Sequence, residues 1–136
     1  MKIKQFGNEV IERLLEGESD TIKTLKEQFK NSKIKKEEYT GSGFFIHYFI
    51  DPEEERLKIK DIEISSICKI NNTSSIYDII LFIRNGAIDF LEGVAFGDEK
   101  FPNKIESYQL VPSEEDIKRL IKNNKNLIKE KKKIED

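Results

Sequence analysis

The sequence predicts an α+β fold: two N-terminal helices, an antiparallel sheet of about five or six strands ordered mainly as a meander, and a C-terminal helix packed on it. Three features carry that expectation. Apolar residues recur at helical spacing before Ser32, two apolar runs flank Asn85-Gly86, and a capped amphipathic stretch opens at Ser113. The chain of 136 residues is about one domain in length, and no repeat or linker divides it.

Val10, Ile11, Leu14 and Leu15 mark a short helix over Asn8 to Glu16 that stops at Gly17, a suitable residue for the position just past a helix. Ser19 or Asp20 can accept the first free N–H groups of a second helix, whose stripe Ile22, Leu25 and Phe29 ends at Asn31-Ser32. Ile34 to Thr40 can then pair with Gly43 to Ile50 through Gly41-Ser42. In the second of these runs, Phe45, His47 and Phe49 alternate with Phe44, Ile46, Tyr48 and Ile50. Asp51-Pro52 followed by Glu53, Glu54 and Glu55 breaks the strand and forms an acidic loop. Leu57 to Ile62 or Ile64, and Ser65 to Ile70, are weaker strand candidates.

Ile76 to Phe96 is the centre of the pattern. Asn-Gly between apolar runs signals a two-residue type I′ turn, which needs positive φ at both positions. Counting outward from the turn, Arg84 faces Ala87, Ile83 faces Ile88, Phe82 faces Asp89, Leu81 faces Phe90, Ile80 faces Leu91 and Ile79 faces Glu92. Ile79, Leu81, Ile83, Ile88 and Phe90 would share one face with Glu92. Ile80, Phe82 and Leu91 would share the other with Arg84 and Asp89, a diagonal ion pair. Both faces are largely apolar, so the hairpin is expected mid-sheet with cover on each side.

The turn-rich stretch from Gly97 to Asn103 is too polar for a central strand, and Ile105 to Val111 is the last strand candidate. Pro112 ends it. Ser113 with Asp116 resembles a capping box ahead of Ile117, Leu120, Ile121 and Ile128, and residues 129–136 are expected to fray.

Composition excludes several classes of activity. The 24 basic and 26 acidic side chains leave a net charge of −2, which provides no field selecting nucleic acid or an anionic membrane. The apolar runs are too short for a signal peptide or a bilayer span, so a cytoplasmic location is expected. One cysteine, Cys68, excludes an internal disulfide and a cysteine metal cluster, and its setting between Ile67 and Ile70 reads as a small buried thiol. One histidine, His47, excludes multi-histidine metal sites and histidine-pair chemistry. Gly41-Ser42-Gly43 opens no helix and reads as a turn, not a phosphate cradle. No metal site and no cofactor is expected.

Among carboxylates, Glu92 stands out. On the turn-derived register it lies on an apolar face, where an ionised group needs a hydrogen-bonding partner, unless a bulge at Gly93 re-aims it to a rim. The remaining candidates are acidic loop residues, Glu53, Glu54 and Glu55 on one side and Asp98 and Glu99 on the other. His47 and Tyr48 are candidates to line a pocket with Glu92.

Two stretches, Thr40-Gly41-Ser42-Gly43-Phe44-Phe45 and Leu81 to Gly93, carry a TGxGFF-like turn and an LFxRxGxxDxLEG-like hairpin. In these the chain resembles a family of short, uncharacterised bacterial proteins, over roughly the middle half of its length. It is similar in size and charge mixture to immunity proteins encoded beside bacterial toxins. That likeness, together with the lack of a catalytic constellation, implies a non-enzymatic cytoplasmic module that holds a toxin-like partner protein. The competing expectation is a small-ligand binder or a carboxylate-dependent enzyme with a pocket near Glu92.

Overall fold

A computed structural model describes residues 1–71, 73–97 and 99–111. The helix expected from Ser113, the tail 129–136 and the candidate residue Asp98 lie outside the described residues. The elements are α1 (Ile3–Leu14), α2 (Asp20–Lys30), β1 (Lys33–Tyr39), β2 (Gly43–Phe49), β3 (Ile62–Ile70), β4 (Ile76–Arg84), β5 (Ala87–Ala95) and β6 (Tyr108–Val111).

Helix α1 starts earlier than Asn8, because Ile3 and Phe6 extend the buried stripe of Val10 and Ile11 back by two turns. At α2 the choice between Ser19 and Asp20 resolves in favour of the serine. Its hydroxyl accepts the Ile22 N–H at 3.1 Å, while Asp20 occupies the first turn, where the helix dipole favours negative charge.

All six strands join one antiparallel sheet in the order β1-β2-β5-β4-β3-β6. The meander holds only for β3 to β5. The β1–β2 hairpin docks on β5, and β6 returns to pair with β3. Ile62 to Ile70 is one strand, not two. The segment before it is a loop that grips the central turn: Leu57 N–H donates to the Gly86 carbonyl at 2.9 Å, and Gly86 N–H donates to the Lys60 carbonyl at 2.7 Å. Asn85 and Gly86 both have positive φ, 53° and 78°, as a type I′ turn requires.

The register counted from that turn survives for only two pairs. Ile83 faces Ile88, but a bulge at Asp89 follows, so that Phe82 faces Phe90, Leu81 faces Leu91, Ile80 faces Glu92 and Ile79 faces Gly93. One extra residue on β5 turns every later side chain to the opposite face. Leu91 is therefore buried where Phe90 was expected, and the bulge lies four residues before Gly93.

Both described helices pack on the face that carries Phe44, Ile46, Tyr48, Leu81 and Leu91. Phe6 meets the Phe44 ring at 6.2 Å between centroids, and Phe29 meets Tyr48 at 5.8 Å. Phe101, from the stretch expected to be a polar turn, is buried and closes this core. Its ring lies 5.0 Å from Phe44, 4.9 Å from Tyr77 and 6.0 Å from Phe6. Burying one such ring contributes roughly 1.5–3 kcal/mol. Cys68 is buried on the same face, and that burial pushes its thiol pKa up to about 12, which makes it a packing group and not a nucleophile.

Candidate functional site

Cover on each side of the hairpin is not found: the described helices cover one sheet face, and no described element covers the other. This second face, open among the described residues, is built by alternation. Its middle consists of Phe45 and His47 on β2, Phe90 on β5, and Phe82 and Ile80 on β4, all half-buried. The bulge at Asp89 is what brings Phe90 here. Phe82 and Phe90 stack with centroids 4.4 Å apart and an interplanar angle of 20°, and Phe90 also meets Phe45 at 5.9 Å and the His47 ring at 5.5 Å. Charged groups border the rings. Arg84 lies 5.0 Å over the Phe82 ring and 3.8 Å from the Glu63 carboxylate, so its partner is Glu63 and not the expected Asp89. His47 Nε2 lies 3.0 Å from a Glu38 oxygen that Lys36 approaches to 3.2 Å.

Glu92 sits in this face beside Ile80 and Phe45. The expected hydrogen-bond donors are replaced by two like charges: burial, then Asp78, then Glu63 raise its carboxyl above the ordinary range. A carboxyl whose folded pKa exceeds its unfolded value binds its proton more tightly when folded. Its ionisation therefore costs nothing below the unfolded value near 4.3, and the cost grows as pH rises through the raised value. Glu92→Gln is accordingly expected to match or slightly exceed wild-type stability at pH 7, by less than about 1 kcal/mol, since the site is partly solvated. The difference should vanish near pH 3. Urea midpoints at the two pH values test this, and a Glu92→Gln protein less stable at pH 7 would restore a hydrogen-bonding role.

Glu92, His47 and Tyr48 do not converge. Tyr48 points to the helix side, where its hydroxyl donates to Asn8 Oδ1 at 2.8 Å, so the sheet separates it from the other two. Of the acidic loop, Glu53 and Glu55 are exposed and Glu54 is half-buried. Two of these carboxylates fasten the loop to α2: Glu54 accepts from the Asn31 amide at 2.7 Å and Glu55 from the Thr24 hydroxyl at 3.2 Å. Glu99 is exposed on a separate loop.

The aromatic centre of the face does not follow from the turn-derived register, which runs unbroken past Asp89 and so places Phe90 with Leu81. The alternation Phe45-His47-Phe49 was the usable signal, since it puts aromatic side chains opposite the helix-facing set. Among the described residues no helix is long and apolar enough to cross a membrane. Compared with protein-family models, curated proteins and solved structures, the chain matches none.

Proposed function

We propose that the protein is a non-enzymatic cytoplasmic module that binds another protein, as an immunity protein binds its toxin, and that the open sheet face is its contact surface. The observation that carries this reading is the half-buried stack of Phe82, Phe90 and Phe45 with charged groups at its border. Protein interfaces are built in this way, with aromatic anchors at the centre and a polar rim that sets orientation and partner choice. The border is of mixed charge, Glu38 with Lys36 and Glu63 with Arg84, beside Asp78 and Glu92, so the surface fits a partner that presents both signs of charge in a complementary arrangement. Phe49, also on this face, is 41% exposed and Ile76 is 48% exposed, which extends the apolar area beyond the central stack.

The test is co-expression with a toxin-like neighbour encoded beside the gene. The wild-type chain is expected to restore growth and to co-purify with that product. Phe90→Ser is expected to weaken the complex by ~2 kcal/mol or more while the sheet stays folded by circular dichroism. Undiminished rescue by Phe90→Ser and Phe45→Ser proteins would move the contact surface elsewhere, and absence of rescue by wild type would reject the immunity reading.

A further inference from the structure

We propose a second binding site on the opposite side of the sheet: a cleft between α1, α2 and the start of β1 that takes a small anion carrying an apolar or aromatic body. The cleft has a volume of about 770 Å³, within the usual range for small-molecule sites. Helical spacing builds its two walls. Lys4, Asn8 and Glu12 recur every fourth residue along α1, and Lys26 and Lys30 do the same on α2, so the two stripes face one another across the opening. Lys33 touches the opening where β1 begins, but its place opposite Phe49 in the β1–β2 register puts its side chain on the other face of the sheet.

The charge of the cleft runs against that of the whole chain. The net charge is −2, yet three lysine side chains here, Lys4, Lys26 and Lys30, meet one carboxylate, Glu12. Among the described residues none of the three lies in an ion pair, and only Lys26 is held, by donating to the Gly17 carbonyl at 2.8 Å. The Asn8 amide adds to this bias: its oxygen is taken by the Tyr48 hydroxyl at 2.8 Å, which leaves its N–H groups as donors on the wall. Beneath this donor-rich rim the floor is apolar, made by Leu15, Ile34 and the rings of Phe29 and Tyr48, which meet edge to face at 5.8 Å. An apolar floor under a cationic rim selects a ligand that is both anionic and apolar. A bare inorganic ion would leave the floor wet, and a neutral aromatic would leave the ammonium groups without a counter-charge.

The site is independent of the partner surface, because Tyr48 and Ile34 lie on the helix side of the sheet. Amide NMR titrations with phenyl phosphate, inorganic phosphate and phenol provide the test. Phenyl phosphate is expected to shift amides of α1, α2 and residues 32–34 saturably, and at least tenfold more tightly than either other probe. Paired Lys4→Glu and Lys30→Glu substitutions should weaken it by roughly tenfold or more, and added salt should do the same. Lys58→Glu with Lys100→Glu, exposed and away from the cleft, should leave it unchanged. Equal binding of inorganic phosphate would overturn the role of the apolar floor. Equal binding by the Lys4→Glu, Lys30→Glu protein, or shifts scattered outside these elements, would overturn the site.

Discussion

Gln28→Glu is expected to lower stability at pH 7 by about 3 kcal/mol or more, a larger loss than any substitution on the charged surface. Gln28 is fully buried, and its amide joins three segments. Its Nε2 donates to the carbonyls of Glu55 at 2.8 Å and Gly86 at 3.0 Å, and its Oε1 accepts the Ile88 N–H at 2.9 Å. Helix α2, the loop before β3 and the central turn are thus fastened at one point. Glutamate fills the same volume but points a charge at two carbonyl oxygens in a fully buried place. Gln28→Leu also fails, by about 2–3 kcal/mol, because the Ile88 N–H and the Glu55 carbonyl lose their partner. The two variants separate with pH. A protonated glutamic acid can donate to one carbonyl and accept from Ile88, so its folded pKa is raised and its deficit shrinks as pH falls toward 4, whereas the leucine deficit stays constant. Urea unfolding at pH 7 and pH 4 measures both, and a Gln28→Glu protein within about 1 kcal/mol of wild type would show that the three-way contact does not hold the turn.

Gln28 also shows where sequence reasoning stops. Helical spacing from Leu25 places residue 28 on the inward stripe, but a glutamine there gives no sign of which carbonyls await it, since they come from residues 27 and 58 positions away in the chain. Local signals were readable: a cap at Ser19 or Asp20, the Asn85-Gly86 turn, the alternation in β2 and the breaker at Asp51-Pro52 all follow from chemistry within a few residues. The bulge at Asp89 was not. Phe90 and Leu91 are both apolar, so either register buries an apolar residue, and hydrophobicity could not choose between them. An error of one residue then carried Glu92 to the wrong face and concealed the Phe82–Phe90 stack. The docking of β2 on β5 was equally invisible, because nothing within either strand encodes its neighbour, although a pair of glycines marks the place where they meet.

Those glycines lead to the second large effect. Across the β2–β5 junction Phe44 pairs with Gly93, and Gly43 pairs with Val94. A Cβ on Gly93 would overlap the edge of the Phe44 ring, while a Cβ on Gly43 would overlap the Gly93 carbonyl oxygen. Gly93 is therefore not the bulge that an isolated glycine in a strand suggests; it makes room for an aromatic ring to lie across the partner strand and reach Phe6 and Phe101. Gly93→Ala is expected to cost roughly 1–3 kcal/mol by forcing that ring aside, and Gly43→Ala about 3 kcal/mol or more, because the obstruction is main chain and only separation of the strands relieves it. The two differ in how they can be rescued. Phe44→Leu removes the ring edge that a Cβ at position 93 meets, so Gly93→Ala should cost at least about 1 kcal/mol less in a Phe44→Leu background than in wild type. No such relief is expected for Gly43→Ala. A double-mutant cycle in urea measures the coupling directly. Additive effects of Gly93→Ala and Phe44→Leu would mean that the ring does not depend on the missing side chain, and that the glycine serves the strand by some other route.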